Sequence, residues 1–192
     1  MPSTTRERLI DTTSGLMRRQ GLNATGIKQI LAGSNATFSS LYHHFPGGKD
    51  ELAARAIESA GAAYQLLVEL VWDSETDLER SLRAVFDGAA QALADTDYED
   101  ACPIATVAME VASTNEELRI ATARVFQSWI AAASERLAAA GISAAEVPAI
   151  AQAIIALLEG AFVLSRATRS IEPMASARDA AVALIKDRCV HP

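Results

Sequence analysis

Residues 25–52 read TGIKQILAGSNATFSSLYHHFPGGKDEL. Ile27, Ile30 and Leu31 fall on one face of a short helix. Ser34 to Thr37 then interrupt the pattern, and Asn35 tolerates the left-handed backbone that a tight turn needs. Thr25 and Thr37 are candidate N-caps for the helices on either side. The second helix, FSSLYHHF, stops at Pro46-Gly47-Gly48. Two short helices around a three- or four-residue turn make a helix-turn-helix, whose second helix enters the DNA major groove. Leu41 and Phe45 join Ile27, Ile30 and Leu31 as the apolar set that packs such a unit. Thr37, Phe38, Ser39, Tyr42 and His43 take the outward positions. Hydroxyls and imidazole bond phosphates or base edges, and Phe38 and the Thr37 methyl suit a thymine methyl. Lys49 opens the next helix beside Gly47 and Gly48, where backbone N–H groups, the helix dipole and an ammonium are expected to meet one phosphate.

Outward from this stretch the chain reads as helix after helix. Thr4 and Glu7 have capping-box spacing, and Gly21 is placed to end the first helix. A long helix is expected over about Lys49–Trp72, another from Ser74–Asp77 to about Ala94, and a short apolar one over Pro103–Ala112. Thr114 with Glu117 and Ser143 with Glu146 repeat the capping-box spacing, for helices reaching about Ala139 and Ala167. A last helix covers about Met174–Arg188. Alanine supplies 39 of the 192 residues, against only 10 glycines and 6 prolines. Ala favours helices and disfavours strands, so the fold class is all-α, with about nine helices.

The net charge of −7 argues, read whole, against a polyanion partner. Divided at residue 50, it becomes +3 for the head and −10 for the body, so a basic head sits on an acidic body that DNA would repel. Cys102 and Cys189 make no disulfide framework, and no Cys/His pattern signals a metal, so no metal and no cofactor are expected. His43 and His44 are adjacent on a helix and point about 100° apart, which suits no single ion. The N-terminus MPSTTRERLIDTT has no apolar segment. The most apolar run, Ala149–Leu164, is broken by Gln152 and Glu159 and is shorter than the roughly 18 residues a membrane span needs. The expected setting is cytoplasmic, with no membrane partner.

Taken together, Leu9-Ile10, Gly21, Ile27, Ile30, Leu41-Tyr42-His43-His44-Phe45, Lys49 and Leu52 resemble the tetracycline-repressor (TetR) family of regulators. Phe45-Pro46-Gly47-Gly48-Lys49, with the later Cys102-Pro-Ile-Ala-Thr-Val-Ala-x-Glu110, looks like its LmrA/YxaF-like branch. The resemblance implies a DNA-binding helix-turn-helix domain over residues 1–48 and a ligand-binding and dimerisation domain over 49–192. It implies phosphate contacts from Tyr42 and Lys49, with Thr25, Lys28 and His43 as further candidates, and base reading by Ala36, Thr37, Phe38 and Ser39. The implied protein is a homodimeric repressor released from a double-stranded operator by a small molecule.

Pockets are mostly apolar with a few polar groups. Tyr64, Trp72, Phe86, Cys102, Met109, Phe126, Trp129 and Phe162 are the candidates for an effector pocket, with Glu110 as a polar member, and they suit an apolar or amphipathic effector. Taken singly, the aromatic and sulfur residues among them fit an ordinary core better than a pocket. The last two helices carry Ile150, Ile154, Leu157, Leu158, Phe162, Leu184 and Ile185 among many alanines, which permits a second close-packed face and a dimer through those helices. Two other classes remain open here. One is a helical ligand- or partner-binding protein without sequence-specific DNA binding. The other is an all-α enzyme, for which no reactive constellation is visible: a Cys102 nucleophile needs a base, and His191 is the only histidine outside the helix-turn-helix.

Overall fold

The computed structural model describes residues 3–100, 102–186 and 188; Cys189 and His191 lie outside them. The described residues form nine α-helices and no strand: α1 (Thr5–Gln20), α2 (Ile27–Ser34), α3 (Phe38–His44), α4 (Gly48–Trp72), α5 (Leu78–Asp95), α6 (Pro103–Val111), α7 (Glu116–Ala139), α8 (Val147–Thr168) and α9 (Glu172–Ile185). They pack as two compact units, residues 1–63 with 102–125 and residues 64–101 with 126–192. This division by packing differs from the functional division expected at residue 48, because α6 and the start of α7 pack with the N-terminal helices.

In the first unit, α1 begins as the sequence dictates. The Thr4 hydroxyl accepts from Glu7 N at 3.2 Å, and Glu7 Oε2 accepts from Thr4 N at 2.7 Å. Both partners are local, so the capping box forms without tertiary help. Leu9, Ile10 and Met17 turn inward against Ile30 and Leu31 of α2, Leu41 of α3 and Phe45, all buried. The helices approach closely at Gly33, where a Cβ would stand 2.7 Å from Thr12 Cγ2. Arg8 crosses from α1 to cap the end of α2, donating to Ser34 O at 3.0 Å. Leu52, Ala53, Ala56 and Ile57 of α4, Ile104, Val107 and Val111 of α6 and Leu118 of α7 complete this core.

The second unit holds the rest of α4 and α7 with α5, α8 and α9. Ile150, Ile154, Leu158 and Phe162 form the buried stripe of α8, while Leu157 is only half-buried. Arg178 of α9 pairs with Asp87 of α5 at 2.7 Å, and Arg83 of α5 with Asp179 of α9 at 3.1 Å. Arg136 of α7 grips Asp73, at the end of α4, with two bonds of 3.0 and 2.9 Å.

Three local expectations are corrected. The cap of α2 is Gly26, whose N–H donates to Gln29 Oε1 at 3.0 Å, not Thr25. The cap of α7 is Asn115, which accepts from Leu118 N at 3.1 Å, because the Thr114 hydroxyl turns back to Glu110 O. Helix α8 runs for 22 residues, longer than the apolar run read from 149 to 164, and by length and composition alone it passes for a membrane span. Its inward stripe is part of the core of this unit.

Candidate nucleic-acid interface and effector cavity

The α2–α3 turn is built around Asn35, whose φ of 50° and ψ of 45° place it in the left-handed region. Thr37 caps α3: its Oγ1 accepts from Ser40 N at 3.1 Å and lies 2.9 Å from Ser40 Oγ. Leu41 and Phe45 anchor α3 inward at 0% and 1% exposure. That anchoring forces the opposite face outward, and Phe38 and Tyr42 stand 53% and 49% exposed. Thr37, Ser39 and His43 are exposed beside them, Lys28 is exposed on α2, and Ala36 is half-buried in the turn. Exposed aromatic rings leave apolar surface in water, an unfavourable hydration that a partner surface would relieve.

Two expected contacts are altered by the structure. Thr25 is fully buried, and its hydroxyl donates to Gly21 O at 2.6 Å, so the side chain is turned away from any phosphate. The expected anion cradle at the start of α4 is already filled from within. Gly47 N donates to Glu51 Oε2 at 2.8 Å, Gly48 N to Phe45 O at 2.8 Å, and Lys49 Nζ to Leu22 O at 2.8 Å. An ammonium carries three donors, so Lys49 retains others. Gly48 has a φ of +70°, and a Cβ there would stand 3.3 Å from Tyr42 Cε1. The Tyr42 ring is thus propped by the first turn of α4.

The second unit contains a cavity with about 530 Å³ of empty space, part of it open to solvent. Tyr64, Trp72 and Trp129 form aromatic walls, with Val68, Val85, Ile154 and Leu158 as apolar floor. Tyr64 and Trp129 rings are 5.5 Å apart, and Phe126 meets Trp129 edge-on at 5.6 Å. The polar lining is confined to Gln65, Glu69 and Arg136. Gln65 Nε2 donates to Glu69 Oε1 at 2.9 Å, and Arg136 lies 3.8 Å from the same oxygen. A second cavity shares Tyr64, Val68, Val85 and Leu158 as its wall.

Among the sequence candidates, Tyr64, Trp72 and Trp129 line the cavity, and Phe162 touches it indirectly through the Tyr64 ring at 6.5 Å. Phe86 is fully buried in the core. Cys102, Met109 and Glu110 line neither of these two cavities and belong to the first unit. Cys102 is the buried N-cap of α6, its Sγ accepting from Ala105 N at 3.5 Å. Met109 is 80% exposed. The Glu110 carboxylate is engaged by the backbone N–H groups of Leu22 and Asn23 at 2.8 and 2.9 Å. Gln65, Val68 and Glu69 were not singled out from the sequence, although their spacing with Tyr64 and Trp72 traces one face of α4. Among the described residues no cluster of three or more metal-ligating side chains occurs.

A helix-turn-helix with an outward aromatic and hydroxyl face, on a helical chain with a separate aromatic cavity, defines a one-component transcriptional regulator. The model of the bacterial regulatory proteins, tetR family, matches residues 9–56, and the model of the LmrA/YxaF-like regulator C-terminal domain matches residues 79–180. The chain is 31% identical over 169 residues to the uncharacterized HTH-type regulator YxaF of Bacillus subtilis, covering 88% of each chain. It is 33% identical over 174 residues to the uncharacterized HTH-type regulator Rv0196 of Mycobacterium tuberculosis, again covering 88% of each. Its fold matches the crystal structure of a TetR regulatory protein from Rhodobacter sphaeroides with a TM-score of 0.83, over 95% of this chain and 99% of that one, at 19% identity. The chain belongs to the TetR family, in its LmrA/YxaF-like branch. It is a DNA-binding regulator of transcription and not an enzyme; regulators of this family act as dimers on operator DNA, and ligand-responsive repression is their norm.

Proposed function

We propose that this protein is a cytoplasmic homodimeric repressor that reads its operator with α3 and is released by an apolar or amphipathic effector held in the aromatic cavity of its second unit. The observation that carries the DNA reading is the outward face of α3, where Phe38 and Tyr42 stay half-exposed while Leu41 and Phe45 are buried. On this reading residues 1–48 are the DNA-binding part and 49–192 the effector and dimer part. Ala36, Thr37, Phe38 and Ser39 read bases; Lys28, Tyr42, His43 and Lys49 hold phosphates. The buried Thr25 is left out.

The effector class follows from the walls. Three aromatic rings and an aliphatic floor accept a flat apolar body, and Gln65, Glu69 and Arg136 border it with their polar atoms turned toward one another. Dimerisation through α8 and α9 is supported by the apolar groove between them, lined by Ala156, Leu157, Gly160, Leu164 and Pro173. Val163 and Leu164 are 55% and 56% exposed on α8. A symmetric pair would set two recognition helices about 34–36 Å apart, one turn of DNA or a multiple. Effector can release DNA only if it binds the two states differently, and DNA must then weaken effector binding by the same factor.

The test is a gel shift with duplexes from the gene's own upstream region at moderate salt. Tight binding to one palindrome over random duplex supports the proposal. Equal binding to both overturns it.

A further inference from the structure

We propose that Glu110 of α6 is a positioning residue for DNA binding: its carboxylate holds the α1–α2 turn, and through that turn the helix-turn-helix, in the arrangement that fits the operator. The inference rests on the DNA-binding reading above. One carboxylate oxygen, Oε2, accepts from Leu22 N at 2.8 Å and Asn23 N at 2.9 Å, across 88 and 87 residues of sequence. The other, Oε1, faces Gly21 so closely that a Cβ on that residue would lie 2.0 Å from it. Gly21 also has a φ of +78°, so this turn is shaped for a glycine by its backbone and by the carboxylate together.

The carboxylate completes the end of α1. Gly21 N closes the last turn on Met17 O at 2.9 Å, and the chain then turns toward α2, leaving Leu22 and Asn23 N–H without a helical acceptor. A two-donor bond to an ionised carboxylate is stronger and more directional than a bond to water. On the other side of Leu22, Lys49 Nζ takes the carbonyl at 2.8 Å. A second link ties the same region: Asn115, at the end of the α6–α7 turn, donates through Nδ2 to Asp50 Oδ2 at 3.0 Å. The clasp therefore joins a residue of the C-terminal family domain, 79–180, to the turn between the first two helices of the N-terminal family domain, 9–56, inside one compact unit. A shift of α6 by even 1 Å would break both N–H bonds, because such bonds weaken steeply with distance and angle.

The experiment uses the full-length protein and the palindromic duplex that the wild-type chain selects, with Kd read by fluorescence anisotropy at a temperature where circular dichroism shows every variant folded. Glu110→Ala is expected to raise Kd on the order of tenfold, the effect of losing a charge-assisted bond. Glu110→Gln keeps one acceptor oxygen and is expected to recover most of that loss. Amide hydrogen exchange at Leu22 and Asn23 should speed up in Glu110→Ala far more than exchange elsewhere in α1 and α2. A merely structural role would lower the melting temperature and speed this local exchange but leave Kd of the folded protein unchanged, and that result overturns the proposal. If Glu110→Ala does not fold, Glu110→Leu, which keeps the bulk and removes both acceptor oxygens, decides by Kd: an unchanged Kd of the folded variant overturns the proposal, and a raised Kd supports it. If the wild-type chain selects no duplex, the DNA reading fails first, and the exchange measurement still reports on the clasp.

Discussion

The ammonium of Lys49 donates to the carbonyl of Leu22 across 2.8 Å, bridging 27 residues of sequence. With the Leu22 N–H held by Glu110, both backbone polar groups of this residue are bonded by side chains from other helices, the carbonyl also accepting from Thr25 N at 3.1 Å. On the proposed reading Lys49 has two tasks, one in the fold and one on DNA. Lys49→Ala should cost roughly 1–2 kcal/mol in urea unfolding, because the carbonyl loses a charged donor. It should also flatten the dependence of log K on log salt by about one unit. An unchanged slope in the folded variant removes Lys49 from the phosphate contacts.

Tyr42 and Phe38 should separate affinity from specificity. Tyr42→Phe removes one hydroxyl from an exposed ring, and it should weaken specific and random duplexes by a similar factor of about three to ten. Phe38→Ala should instead change which duplex is preferred, with nonspecific binding kept, since apolar side chains read thymine methyls. Selection from a randomised duplex pool, followed by anisotropy, checks both. Parallel losses for the two variants would contradict the assignment.

The cavity carries its own reporter. The chain has two tryptophans, and both Trp72 and Trp129 line the same cavity. An effector bound there should quench or shift intrinsic fluorescence at the concentrations that release DNA. Ala132→Phe projects a ring from the half-buried lining of α7 into the space, and it should abolish the fluorescence response while DNA binding persists. Release of DNA by effector in the Ala132→Phe variant would place the site elsewhere.

Gly48→Ala should destabilise the protein by about 1–2 kcal/mol, since a residue with a Cβ is forced to a φ of +70°. The added Cβ would also press on the Tyr42 ring at 3.3 Å. DNA affinity of the folded variant should fall together with stability, whereas a lone φ penalty would lower the melting temperature only.

The capping box of α1 should show in acid. The Thr4 backbone N–H, then the Thr4 side chain, hold the Glu7 carboxyl below its ordinary value. A depressed folded pKa contributes stability above the unfolded value and loses it as pH falls through the folded one. Glu7→Gln keeps an acceptor but cannot titrate, so its stability difference from wild type should shrink on acidification through that window. Chemical denaturation at several pH values below 6 tests this, and a constant difference would mean that Glu7 does not contribute by its charge.

The local part of this fold is legible residue by residue. Thr4 with Glu7, Asn35 at the turn and Thr37 ahead of α3 act through neighbours three or four positions away, so the spacing alone predicts them. Leu41 and Phe45 fix which side of α3 faces inward, and the outward set follows from the helical period. The misplaced caps at Thr25 and Thr114 share one cause. Each hydroxyl prefers a carbonyl of the preceding turn, Gly21 O or Glu110 O, and that choice depends on how the turn is packed.

The sequence by itself determined an all-α chain, its helix-turn-helix and the residues that face away from the core of that motif, because helix periodicity and capping are short-range effects. Only the tertiary structure decided what Glu110 and Lys49 do. Glu110 was expected among pocket residues from its place on an apolar helix, and Lys49 at a phosphate from its place on a helix start. Glu110 instead meets Leu22 at 88 residues' separation, and Lys49 spends one of its donors on the same residue at 27. No periodicity encodes a bond of that length: it exists because α6 packs against α1, where the Leu22 N–H needs a partner, and because the Leu22 carbonyl, which already accepts from Thr25 N at 3.1 Å, has a second lone pair for Lys49.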